Sequence, residues 1–376
     1  MRALRRSIAL ALALSALAAA PAGAQDSCLG EPEAEGVTPM PGPALRFGIN
    51  PAGEAGALGP AVEPVPGTPA ETLAALAHLA PPAGPFYVRL NRFFWSEGVP
   101  GIRRFQKLAR RYTRHGYLVE LQLRYHPRPE QEGRIDRWVK YVRRVTRKFG
   151  RNPGVRAIQV TNEVNFTISP DSSDGAYDRA RKALVRGVIA AKRVARHRDL
   201  NQLKIGFNWF YRTDPGNERS FWGELAAAKP RFRRAVDWVG LDAYPGTFFP
   251  PVELGDGYRD GIVNALSTLR CFMTGAGIPE AVPIHVEENG YPTLEPTRSY
   301  AEQVNAMRQM VGAVHDFRGT FNVTDYRWFD LRDHRTSSQN FQHQYGLLRD
   351  DYTPKPAFEV YRELVAELAR RKRGKR

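Results

Sequence analysis

Two stretches of the chain end apolar, strand-like runs on carboxylates. VRAIQVTNEVN (155–165) is apolar at Ile158 and Val160 and then stops on Thr161, Asn162 and Glu163, and PIHVEEN (283–289) stops on Glu287 and Glu288. Taking an ionised carboxylate out of water is costly, so a carboxylate at the end of a buried strand marks the place where core gives way to a site. Two carboxyl groups gathered at one site can divide a displacement between them. One keeps a proton for the departing oxygen, and the other, ionised, acts as nucleophile or as base towards water. A plainer reading of Glu163 is a structural carboxylate capping a turn; the amide directly before it and its strand-end position weigh against that.

The elements that would position these groups repeat along the chain. Strand-like runs occur at 45–50, 86–91, 118–126, 155–162, 203–210, 236–244, 283–289 and 322–329, which makes eight. Helical patterns separate them, for example Ile135, Trp138, Val139, Val142 and Val145 on one face with Lys and Arg on the other. Eight strands alternating with helices predict a single α/β domain of the (β/α)8 (TIM) barrel type over residues 44–368. A doubly wound sheet is the competing arrangement. It would usually need fewer strands, and no GxGxxG turn follows the first strand.

In such a barrel the reaction site lies at the C-terminal ends of the strands. Besides the carboxylates, those ends carry Trp95, Tyr125, Trp209, Tyr211, Tyr244, Tyr291 and Trp328. Carboxylates and amides suit the hydroxyls of a sugar, and aromatic rings suit its C–H faces, so a carbohydrate is the expected partner. Tyr244 and Trp328 also read as packing residues, Trp209 more so, and Arg89 as a buried ion-pair partner for either glutamate. A catalytically idle barrel that binds polysaccharide or envelope glycans would keep the aromatic rim without needing both glutamates.

GRNPGVRAIQVTNEVN resembles the approach to the acid/base strand of clan A glycoside hydrolases, whose fourth strand ends in Asn-Glu. PIHVEENGYPT resembles their seventh-strand nucleophile segment, and YGLLRDDYTPKPAFEVYREL their ending after the eighth strand. The resemblance implies a retaining hydrolase with Glu163 as acid/base, Glu288 as nucleophile and carboxyl groups about 5 Å apart. It further implies Asn162 at the substrate's 2-hydroxyl, Arg89 and Tyr244 on the nucleophile, and Trp328 as the floor of the sugar subsite. His126, at the end of the third strand, is a further candidate sugar contact. Strict alternation along IHVEE would turn Glu287 inward, whereas the Glu-x-Gly spacing favours Glu288.

Composition narrows the remaining possibilities. Arg2, Arg5 and Arg6 precede an apolar run from Ile8 to Ala20 and an Ala22-Gly23-Ala24 site, the pattern of an export signal over 1–24. That run is shorter than the roughly 20 residues a membrane span needs. A secreted or envelope-associated monomer is expected, with a Pro/Gly-rich lead (25–43) and a basic tail (369–376). Cys28 and Cys271 are an even pair, read as one disulfide in an oxidising compartment, with two unpaired thiols as the alternative. The formal charge of +16 becomes +13 without the three signal arginines. Much of it lies in three helical stretches, which read as solvated helix faces or as attraction to an anionic envelope or polysaccharide surface. No nucleic-acid motif, HExxH, GxSxG or P-loop occurs, so no metal, cofactor or nucleic acid is expected.

Overall fold

All eight apolar runs are parallel strands in the computed structural model, and they close on themselves in sequence order. The structure describes residues 28–29, 36–51, 56, 62–211, 214–248 and 257–369. The expected export signal and nearly all of the basic tail lie outside that range, as do parts of the lead. The strands are β1 (Arg46–Ile49), β2 (Tyr87–Phe94), β3 (Leu118–Arg124), β4 (Val155–Val160), β5 (Lys204–Phe210), β6 (Trp238–Asp242), β7 (Ile284–Asn289) and β8 (Val323–Trp328). Between and after them run α1 (Pro69–Leu79), α2 (Gly98–Arg114), α3 (Ile135–Phe149), α4 (Ala180–His197), α5 (Pro215–Ala227), the short α6 (Pro230–Arg233), α7 (Tyr258–Gly275), α8 (Tyr300–Asp316) and α9 (Pro356–Leu368). This is a single (β/α)8 barrel.

The helices form where the sequence repeats apolar residues every three or four positions. On α3, Ile135, Trp138, Val139, Val142 and Val145 are all buried while its arginines and lysines face water. The main core is therefore the shell between strands and helices. The barrel interior is different, because it is filled with charge. Arg89 lies 3.2 Å from Glu287 and 3.9 Å from Glu120, while Arg327 lies 3.5 Å from Glu120 and 2.8 Å from Asp325. His285 sits between Glu287 at 3.2 Å and Asp325 at 3.1 Å, stacked on Trp238. Gly240 on β6 leaves the room this packing needs: a Cβ there would stand 2.9 Å from both Asn208 and Glu287.

Cys28 and Cys271 form a disulfide with Cα atoms 5.6 Å apart, tying the lead to α7. The lead is also held by Thr320, which accepts from the Met40 amide at 3.0 Å and donates to the Thr38 carbonyl at 2.8 Å. A cross-link closing 243 residues constrains the unfolded chain strongly. Replacing both cysteines with serine is expected to lower unfolding free energy by about 2–4 kcal/mol, read as a fall in denaturation midpoint against the oxidised parent.

Candidate active site

Glu163 and Glu288 meet at the C-terminal mouth of the barrel, where both line one cleft that is open to solvent. One carboxylate oxygen from each of Glu163, Asp242 and Glu288 lies within 4.8 Å of the others. The chain arrives there by breaking strand geometry. Thr161 (φ 70°) and Glu163 (φ 44°) both adopt left-handed backbone, unfavourable for residues with a Cβ. That double turn aims Asn162 and Glu163 over the end of the barrel. β7 breaks its alternation too. Leu241 pairs with Val286 and Asp242 with Glu288, so Glu287 is an extra residue bulged between them. Both glutamates consequently face the interior. Glu287 sits lower, against Arg89 and His285, and Glu288 lines the cleft. Arg89 thus partners both, with Glu288 held at 2.6 Å.

Glu288 is fixed from three sides. Oε1 accepts from Arg89 Nη1 at 2.6 Å and from Gln122 Nε2 at 3.2 Å, and Oε2 accepts from the Tyr244 hydroxyl at 2.7 Å. Asn162 Oδ1 accepts from Gln122 at 2.7 Å, Asn208 at 2.8 Å and Gln159 at 3.0 Å, while its amide donates to the Ser172 carbonyl. Asn208 also accepts from the Glu163 amide at 2.9 Å and donates to Asp242. Burial, and then the charge of Glu288, push the Glu163 carboxyl well above the usual carboxylate range. Burial followed by Glu288 and Glu163 does the same to Asp242. Tyr244 is raised well above the phenol range by burial and then Glu288, so it keeps its proton to donate. Burial pulls Arg89 down, but Glu288, Asp242, Glu287 and Glu120 outweigh it and the guanidinium stays charged.

The end of β4 has its own support. The buried Asp174 accepts from the backbone amides of Asn162 (3.0 Å) and Tyr125 (2.6 Å) and from Arg124 Nε (2.9 Å). Asp174→Ala would strip a buried arginine and two amides of their acceptor. It is expected to cost about 3–5 kcal/mol in a chemical denaturation curve, beyond any effect on activity.

The cleft wall is aromatic, but its residues are mostly not the ones the strand ends predicted. Phe210, Tyr244, Phe329 and Tyr345 form a small cluster separate from the main core, with Phe166 and Phe248 against it, and all six line the cleft. Of the expected rim aromatics only Tyr244 is among the lining residues. Trp95, Tyr125, Trp209, Tyr211, Tyr291 and Trp328 are buried in the core between strands and helices. Trp328 is fully buried 6.2 Å from the Tyr361 ring, and its neighbour Phe329 faces the cleft instead. The same one-residue offset separates Trp209, which donates to Glu218, from Phe210. His126 is half-buried, stacked on Phe94 and beside Tyr177, and it is not in the cleft lining. Burial, then Arg124, lower its pKa.

Sequence reasoning missed Asp242, Gln122, Gln159, Asn208 and Tyr345. The first four are polar residues inside otherwise apolar strands, and that was their signal. The Tyr345 hydroxyl and Asp242 Oδ1 are buried without a hydrogen-bond partner among the described residues. Among the described residues two groups have cation-ligand spacing, Glu120/His285/Glu287 and Glu163/Asp242/Glu288. Arginine already supplies the positive charge in both, from Arg89 and Arg327 in the first and Arg89 in the second.

No protein-family model and no curated protein sequence matches the chain. Its fold is nevertheless shared with solved glycosidases. A GH5_18 protein from Streptomyces cattleya in complex with GlcNAc aligns with TM-score 0.57 at 17% identity, covering 86% of this chain and 80% of that one. A fungal beta-1,4-galactanase aligns with TM-score 0.57 at 13% identity over 85% and 99%. A beta-glucosidase from Thermotoga maritima in complex with noeuromycin gives 0.54 at 14% over 79% and 84%. At these identities the likeness establishes the barrel, and the activity has to be argued from the site.

Proposed function

We propose that the protein is a clan A type glycoside hydrolase that cleaves O-glycosidic bonds with retention of configuration. The observation that carries this reading is the pair of carboxylates, Glu163 and Glu288, with oxygens within 4.8 Å across the floor of an aromatic-walled cleft. Retention needs carboxyl groups about 5–5.5 Å apart, whereas inversion needs about 6.5–9.5 Å to admit a water.

Glu288 attacks the anomeric carbon and forms an ester to it while the bond to the departing oxygen breaks. Glu163 gives that oxygen its proton. Water then replaces Glu288 at the same carbon, losing a proton to Glu163, and both carboxyl groups return to their starting states. The environments suit these parts. Arg89, Gln122 and Tyr244 stabilise an ionised, fixed Glu288. Burial and the Glu288 charge keep Glu163 protonated until Glu288 is esterified, when loss of that charge lets Glu163 turn base. Asn162 lines the cleft, and its remaining side-chain N–H supports a contact to a sugar hydroxyl, with the Tyr345 hydroxyl as another donor. Phe329 takes the place at the end of β8 where the resemblance put Trp328. Export through residues 1–24 belongs to the same proposal and rests on the sequence.

The test is hydrolysis by the purified chain of a panel of aryl glycosides and of neutral and acidic polysaccharides, with Glu163→Ala and Glu288→Ala alongside. Turnover of one class that either substitution abolishes supports the reading. Equal inertness of all three proteins, with glycan binding intact, would make the barrel a binding protein.

A further inference from the structure

Three consecutive helices on one flank of the barrel carry a dense, nearly unopposed run of positive charge. α2 carries six Lys and Arg and no acid, α3 six against one Asp, and α4 six and no acid, a net +17. On the far flank α7 carries two against one, α8 one against two and α9 one against three, a net −2. One chain of one overall composition is therefore strongly polarised, which general arginine richness does not produce. Of the eighteen basic residues on α2–α4, only Arg104, Arg181, Arg186 and Lys192 have a carboxylate within 4.0 Å among the described residues.

The flank is grooved. Gln106, Arg110, Lys148 and Arg151 line a furrow between α2 and α3, and Arg143, Arg147, Arg193 and Arg198 line a parallel one between α3 and α4. On α2, Arg103, Lys107, Arg110 and Arg114 recur at helical spacing and are all exposed, a stripe about 16 Å long down the side of the barrel. We propose that this flank binds an anionic polysaccharide chain, with guanidinium forks gripping its carboxylate or sulfate groups. The furrows suit a linear polymer better than a flat bilayer. The exposed large apolar residues of the described chain, Met40 and Ile168, lie off these helices, so the flank carries no anchor for lipid. It also shows no exposed aromatic platform on which bases could stack. The choice of a glycan over other polyanions rests on the glycosidase reading above. Because α2–α4 form the side of the barrel and the cleft its mouth, a chain held on the flank leaves the cleft open. The consequence is retention of the enzyme on an acidic matrix.

The test compares three full-length proteins for retention on immobilised polygalacturonate and dextran sulfate across a salt series. They are the wild type, a variant with Arg103, Lys107, Arg110 and Arg114 changed to Gln, and a control with Arg231, Arg259, Arg308 and Arg362 changed to Gln. The α2 variant should bind roughly tenfold more weakly with a shallower salt dependence, while the control, of equal net charge, binds as wild type. Equal weakening in both variants, or no binding at low salt, would overturn the proposal. Stronger wild-type binding to phosphatidylglycerol vesicles or duplex DNA than to the polysaccharides would overturn the choice of ligand. Glu288→Gln run in parallel should bind as wild type, so a failed flank and a failed active site give separate results.

Discussion

Glu288→Gln is expected to leave a folded barrel and to lower turnover of any glycosidic substrate by at least about 10⁴-fold. The amide is nearly isosteric and cannot form the ester. Arg89 keeps Glu287 at 3.2 Å, so the substitution does not leave a buried guanidinium alone. It also removes one of three carboxylates crowded within 4.8 Å, which relieves repulsion and offsets the lost ion pair. A thermal melt should therefore shift by no more than a few degrees while kcat collapses. A collapse of both together would mean that Glu288 is a structural partner of Arg89 and that the reaction lies elsewhere.

Glu163→Ala should act differently on different substrates. General acid help is worth about 10²–10⁴-fold, and it matters most for a poor leaving group. Natural glycosides should lose that full factor, whereas aryl glycosides with acidic phenols should keep a much larger share of bond cleavage. The pH profile gives a second readout. Because burial and Glu288 raise the Glu163 pKa, wild-type activity should extend upward in pH until Glu163 loses its proton, and the variant should lack that alkaline limb. Stability follows the same group with a definite sign. A carboxyl whose pKa is raised on folding contributes fully below the unfolded carboxylate range and loses that contribution as pH rises through the folded value. Glu163→Gln should thus gain stability over wild type progressively as pH rises, measurable by parallel denaturation curves at acid and alkaline pH.

The barrel was legible because its signals repeat. Eight apolar runs separated by amphipathic helices admit few other folds, and every run became a strand. The positions of Glu163 and Glu288 were legible because a carboxylate beside an amide at a strand end has few structural uses. The aromatic wall was misread for a geometric reason. Residue type was read at strand ends without deciding which of two neighbours faces inward, and at Trp209/Phe210 and Trp328/Phe329 it is the phenylalanine. Tryptophan went to the thick shell under the helices, where Trp209 could satisfy its ring N–H on Glu218. The charged interior was hidden as well. Glu120, His285, Asp325 and Arg327 look like ordinary alternation within strands, and only closure of the barrel makes their inward faces meet. The bulge that brings Glu287 and Glu288 to the same side is a register shift against β6, a property of two strands that neither shows alone.

The most direct test of the two-carboxylate account is the anomeric configuration of the first product, followed by ¹H NMR in the opening minutes of hydrolysis before mutarotation. The account predicts that the new hemiacetal appears with the configuration of the bond that was cleaved. First appearance of the opposite anomer would contradict it, because a water between the carboxyl groups, rather than Glu288, would then have attacked.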